Sequence, residues 1–65
     1  MDQVEFENAV CVAASSKAIR VRLEDRDEEI WIPQSVVSED SEVWKPGDRG
    51  TLIIPEWFAL KNGMI

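Results

Sequence analysis

The chain has no histidine, no tyrosine, one cysteine, three glycines and only seven basic residues in 65. Each shortage excludes something. General acid–base chemistry near neutral pH most often uses His, so neither a Ser-His-Asp nor a Cys-His arrangement can be built from this chain. One cysteine makes neither an intramolecular disulfide nor a zinc cluster, so Cys11 reads as a small core residue suited to a reducing compartment. Apolar runs are short, far below the ~18–20 residues that cross a bilayer. The start, Met1-Asp2-Gln3-Val4-Glu5, is acidic and lacks the basic-then-apolar layout of a signal peptide. Gly47 and Gly50 have no following Lys-Ser/Thr, so they do not form a phosphate-binding loop. Asp25, Asp27 and Glu29 echo a calcium loop. Its sixth position would be Ile30 instead of Gly and its twelfth Val36 instead of Glu, which excludes the match. A chain this short also has little room for a substrate cleft. The expectation is a single non-enzymatic domain over residues 1–65, cytoplasmic, with no cofactor, no metal and no membrane association.

What is present is β patterning. Val4, Phe6, Val10 and Val12 share even positions against Glu5 and Glu7, a half-buried strand. Asn8 falls on the apolar side and marks a bulge or break. Ile19, Val21 and Leu23 alternate with Arg20, Arg22 and Glu24, and Ile30-Trp31-Ile32 repeats the pattern. The two runs predict a hairpin with Leu23 opposite Ile30, Val21 opposite Ile32 and Arg22 opposite Trp31. All five aliphatics then point inward and leave an indole and two guanidiniums outside. Pro33 ends that strand, Gln34–Val37 makes one helical turn or a bend, and Ser38–Glu42 reads as a solvated acidic loop. Val43-Trp44 is expected to pair briefly. Lys45-Pro46-Gly47-Asp48 predicts a type II turn, with Pro presetting the first central φ and Gly taking the positive second one. Gly50 marks a second tight spot. Thr51–Ile54 predicts a strand buried on both sides. Pro55 opens a short helix that Asn62-Gly63 stops, with Trp57, Leu60 and Met64 near one face and packed on the sheet. The fold class is therefore mainly β: a small curled antiparallel sheet or barrel, SH3-like or OB-like, of four to five strands with a short C-terminal helix.

Charge is grouped. Residues 2–7, 24–29 and 39–42 carry −3, −4 and −3, and the remainder nets +4, for −6 overall. Acidic loop tips keep small sheets soluble, and they also suit a basic partner. The candidate contact residues are Trp31 with Arg20 and Arg22, and the acidic loop Asp25, Asp27, Glu28 and Glu29. An exposed Trp beside charge is a usual interface anchor, and Phe58 is a second candidate for that role. Trp44 and Trp57 read as structural rings closing the ends of the core. The competing arrangement puts Trp31 under the terminal helix with Arg22 stacked on its ring. Two functions follow. One is a protein-interaction module acting on an unidentified protein partner. The other is a single-stranded nucleic-acid accessory protein using Trp31, Arg20, Arg22 and Lys17, with Lys45 as an extension. The negative net charge weighs against the second, because phosphate binding draws on Lys and Arg. A homodimer is compatible with either.

The stretch Ile30-Trp31-Ile32-Pro33-Gln34-Ser35, then Ser41-Glu42-Val43-Trp44-Lys45-Pro46-Gly47-Asp48-Arg49-Gly50-Thr51-Leu52, closing Ile54-Pro55-Glu56-Trp57, resembles a small-protein family encoded by bacteriophages and prophages. The likeness spans roughly residues 18–63 and rests on turn and core signatures. It implies a bacterial cytosolic setting and a chain complete as it stands. By analogy with small acidic phage proteins, it also implies an accessory or inhibitory factor. No functional residues carry over from it.

Overall fold

The computed structural model describes residues 2–65. Among these, four strands run β1 (Gln3–Ala14), β2 (Ala18–Arg22), β3 (Glu29–Pro33) and β4 (Arg49–Pro55). A 3-10 turn over Gln34–Val36 follows β3, and helix α1 (Glu56–Lys61) follows β4. The strands form one antiparallel sheet in the order β3-β2-β1-β4. The curled-sheet alternative is thus the one observed: β3 and β4 lie at opposite edges and do not pair to close a barrel. No helix among the described residues is long and apolar enough to cross a membrane.

The long β1 organises the sheet. Its first part, Gln3–Val10, pairs with β4, and its last part, Val10–Ala14, pairs with β2. Between them sits Asn8 at φ 59°, a left-handed conformation that Asn tolerates better than most residues. Phe6 faces Leu52 and Ala9 faces Gly50, so Glu7 and Asn8 together oppose Thr51. That is a bulge, and it reverses the strand's alternation. Val4 and Phe6 pack against the core before it; Ala9 and Cys11 are fully buried after it. The even-position expectation is therefore correct for Val4 and Phe6 and reversed for Val10 and Val12, which are half-buried. A second register shift, at Val12, lets the strand twist on toward β2.

The β2–β3 hairpin keeps the expected faces with a different register. Val21 lies opposite Ile30, Ile19 opposite Ile32 and Arg20 opposite Trp31, two residues away from the predicted pairing. An even shift preserves which side chains face inward. Its cause is a wider loop. Leu23 leaves the ladder and turns into the core (3% exposed), and its carbonyl accepts the N–H of Arg26 at 3.2 Å. Ile19, Val21 and Ile32 are fully buried, and Ile30 packs at the margin.

The segment before β4 differs most from expectation. Val43-Trp44 forms no strand, although Val43 is fully buried and Trp44 packs on the core. Trp44 donates its indole N–H to the Ser41 carbonyl at 2.8 Å, which fits its structural role. Ser38–Glu42 is more than a solvated loop, because Ser41 is buried. The Ser41 hydroxyl accepts the Ile53 N–H at 2.6 Å and donates to the Ile53 carbonyl at 3.1 Å. The Ser38 N–H reaches the same carbonyl at 2.9 Å. Glu42 repeats the device at Thr51: its N–H donates to the Thr51 carbonyl and its Oε1 accepts the Thr51 N–H, both at 2.8 Å. Two backbone N–H groups and two side-chain oxygens thus supply the outer edge of β4 with what a fifth strand would have given it.

The Lys45–Asp48 turn forms as predicted, with Gly47 at φ 96° and the Asp48 N–H bonded to the Lys45 carbonyl at 2.9 Å. It extends the β1 ladder through Cys11 N–H to the Asp48 carbonyl and Gly47 N–H to the Cys11 carbonyl. Gly50 is tight for a definite reason: a Cβ there would meet Glu42 Oε1 at 2.7 Å and Glu42 Cβ at 3.0 Å. β4 buries Leu52 and Ile54 fully and leaves Thr51 and Ile53 half-buried, so it alternates and is not buried on both sides.

Helix α1 starts after Pro55 and ends at Asn62, with Gly63 at φ 68° and the Met64 N–H returning to the Ala59 carbonyl. The stop signals were legible, but the buried face was not. Phe58, Ala59 and Met64 pack inward, while Trp57 and Leu60 stand exposed. Two expectations are corrected: Phe58 is a core residue, and Trp57 closes nothing, sitting edge-on to Phe58 with ring centroids 5.7 Å apart. The helix is so short, and so close behind β4, that its entry angle decides which residues face the sheet.

Candidate functional site

The outer face of the sheet carries the candidate site. Residues directly opposite on neighbouring strands share a face. Pairing gives one row across all four strands: Arg49, Val10, Arg22 and Glu29. The next row places Ala13, Arg20 and Trp31 together. The hairpin alternation thus puts Trp31, Arg20 and Arg22 on one surface, as the sequence predicts.

Trp31 is 49% exposed and is not covered by α1. The Arg20 guanidinium, and not that of Arg22, lies over its ring, 5.9 Å from the centroid. This follows from the register, which sets Arg20 opposite Trp31. Glu29 then holds both arginines. Its Oε1 is 2.9 Å from Arg20 Nε and its Oε2 takes a hydrogen bond from Arg22 Nη2. The Arg20 Nε–H is not aimed at that oxygen, so this contact is an ion pair and not a hydrogen bond. Both arginine side chains remain about half exposed, so each pair adds little to stability. Its effect is on geometry: one carboxylate fixes a guanidinium against an indole and leaves the indole's other side to solvent.

The acidic candidates divide. Glu29 lies within β3 and faces the arginines, while Asp25, Asp27 and Glu28 lie in the exposed connection. Arg26 between them was not identified from the sequence. It reaches to the other end of the chain, donating from Nη1 to the Gly63 carbonyl at 2.6 Å and from Nη2 to the Met64 carbonyl at 2.9 Å. A cation amid five carboxylates is the only sequence hint of such a role. The bond moves Arg26 away from its neighbours and anchors the loop beside the helix end. Asn8 ties the other side of the loop through Glu24 Oε2 at 3.3 Å. Between β1 and this loop runs an open groove of about 410 Å³ lined by Glu5, Phe6, Glu7, Leu23, Glu24 and Asp25.

Lys17 and Lys45 are not gathered with Trp31 into one basic track. Lys17 lies exposed in the β1–β2 turn, its carbonyl accepting the Gln34 N–H at 2.8 Å; Lys45 lies in the turn before β4. Arg49 joins the face instead, through a cross-strand alignment that only the β1–β4 register reveals.

Among the described residues, two titratable groups are clearly shifted. Burial pushes the Cys11 thiol above its ordinary 9.0, and the nearby Asp48 charge adds to this. The thiol contacts the Ala13 carbonyl at 3.3 Å and is enclosed, which argues for packing rather than reactivity. Asp48 is held below its ordinary 3.8 because its Oδ2 accepts the backbone N–H groups of Lys45 and Trp44 at 2.9 and 3.0 Å. No set of three or more His, Cys, Asp or Glu residues is arranged to hold a metal ion among the described residues. The chain matches no protein-family model, no curated protein and no solved structure.

Proposed function

We propose that this chain is a non-enzymatic protein-interaction module that engages its partner through the outer face of β2 and β3. Trp31 is the anchor, Arg20 and Arg22 are the flanking charges, and Asp25, Asp27 and Glu28 form an acidic rim. The observation that carries this reading is the half-exposed indole fixed by Arg20 and Glu29. An anchor ordered before contact loses little conformational freedom on binding, and Trp and Arg dominate binding hot spots. The resemblance to phage-encoded small proteins makes a bacterial protein target the natural partner and an accessory or inhibitory role the natural outcome. Absence of His and the small size of the chain favour binding over catalysis. The test is affinity capture from bacterial lysate with the wild-type chain and Trp31→Ala. A protein retained by the first and lost by the second supports the reading; identical capture profiles refute it.

A second reading draws on Arg49. With Arg20 and Arg22 it makes a three-arginine surface beside an aromatic platform, the elements that small β proteins use on single strands. Glu29 opposes it by neutralising part of that charge. Quenching of Trp fluorescence by a single-stranded oligonucleotide at about 20 mM salt, lost steeply as salt rises, is its signature. An unchanged spectrum at low salt removes it.

A further inference from the structure

The two edges of the sheet are treated differently. Ser38, Ser41 and Glu42 occupy the outer edge of β4. Among the described residues no strand pairs with the outer edge of β3. Which backbone groups lie open there follows from one bond. The Gln34 N–H donates to the Lys17 carbonyl, continuing the β2–β3 register. Bonded positions alternate in an antiparallel ladder, so Ile32 and Ile30 also point their N–H and C=O toward β2. Glu29, Trp31 and Pro33 point theirs outward. The open groups are the N–H and C=O of Glu29 and Trp31; the C=O of Pro33 heads the 3-10 turn and takes its first hydrogen bond, and it keeps its second lone pair for a partner.

We propose that β3 pairs with β3 of a second copy of this chain, antiparallel and centred on Trp31, joining two sheets into one of eight strands. Three features select a second copy over an unrelated strand. The open groups are self-complementary about Trp31. Each Trp31 N–H meets the other's carbonyl, giving two full hydrogen bonds, and each Glu29 N–H meets the second lone pair of its mate's Pro33 carbonyl, giving two shared ones. Pro33, which lacks an N–H, stands where only its carbonyl is needed. Second, charge along this edge is polar. Asp27 and Glu28 sit at one end, and Lys17, bonded to Gln34, sits at the other. Twofold pairing sets Glu28 opposite Gln34 of the mate, within long-side-chain reach of its Lys17, about two strand spacings or ~10 Å away. Parallel pairing would bring like ends together. Third, the half-exposed Trp31 and the marginal Ile30 are the apolar groups at this edge, and the pairing covers both: indole beside indole on the outer face, Ile30 beside Ile32 of the mate on the inner. The contact is short, so the dimer belongs to the weak, concentration-dependent class. Because this pairing covers the Trp31 indole, it competes with the partner contact proposed above, and sedimentation of the isolated chain tests it independently of any partner.

The experiment combines sedimentation with amide hydrogen exchange from about 10 μM to about 1 mM chain. The expected result is a monomer-to-dimer transition in which the Trp31 and Glu29 amides slow by about tenfold while the Ile53 amide is unchanged. Trp31→Lys sets like charges against each other at the twofold centre and is expected to abolish the transition. Glu28→Lys and Lys17→Glu each weaken it by about threefold or more, and the two together restore it. This charge swap keeps the test decisive even if Trp31→Lys fails to fold. A chain that stays monomeric to 1 mM overturns the proposal. So does a dimer that leaves the Trp31 and Glu29 amides unprotected, or one abolished by Trp57→Lys instead.

Discussion

Replacing Ser41 by Ala removes one oxygen and should cost far more than a surface serine normally would. The hydroxyl is the acceptor for the Ile53 N–H at 2.6 Å, and no other acceptor serves that N–H. The Ile53 carbonyl keeps its bond from the Ser38 N–H, so the damage is one orphaned donor at a covered strand edge. Such a group costs about 1–3 kcal/mol. A domain of this length has roughly 3–10 kcal/mol in total at 0.05–0.15 per residue, so Ser41→Ala removes a large fraction of it. At about 4–8 °C per kcal/mol, the melting temperature should fall by around 10 °C. Circular dichroism melts and urea titration measure the loss, and exchange of the Ile53 amide locates it. Ser41→Thr retains the hydroxyl and should lose less. A change under about 0.5 kcal/mol, with Ile53 exchange as slow as in the parent, would show that the hydroxyl does not cap this edge.

Three further outcomes are expected. Gly50→Ala drives a Cβ into Glu42 and should release its carboxylate from the Thr51 N–H, costing about 1–2 kcal/mol, with faster Thr51 exchange as the marker. Arg26→Ala removes two bonds to the Gly63 and Met64 carbonyls and should cost about 1 kcal/mol, loosening the C-terminal residues in exchange experiments before the sheet. The pKa of Asp48 is lower folded than unfolded, so its contribution to stability is complete above its ordinary 3.8 and is lost as pH falls through the depressed folded value. Asp48→Asn should therefore flatten the acid limb of the melting-temperature profile below about pH 4, and an unchanged limb would contradict the assignment.

Much of the sheet could be read from alternation because aliphatic parity is a local signal. Residues 19, 21, 23, 30 and 32 declare their face without knowledge of any partner, and the outward Trp31 follows. Register was not legible to the same degree. Placing Arg20 opposite Trp31 depended on how Leu23 leaves the strand, which a loop of charged residues does not encode. The helix face escaped for a related reason. In a six-residue helix both Trp57 with Leu60 and Phe58 with Ala59 make acceptable stripes, and only docking behind β4 decides between them. Ser41 and Arg26 were hidden in acidic stretches whose composition reads as solvated, because each acts on backbone groups more than ten positions away. Arg49 was invisible until the β1–β4 pairing placed it in the row of Arg22.

The left-handed residue at position 8 governs which half of its strand is wet. Flattening the bulge with that residue kept in the ladder would impose regular alternation, expel Ala9 and Cys11 to water and turn Val10 and Val12 inward, where space has been shaped for smaller groups; deleting the residue would instead keep Ala9 and Cys11 inside. A one-residue change of length here is thus a different event from one in the neighbouring turns, for it decides whether a bulge is needed to keep inside and outside in place. Aligning this chain with a strand that lacks the bulge would need a one-residue offset at this point, and pattern-matching without one would pair its core with the other's surface.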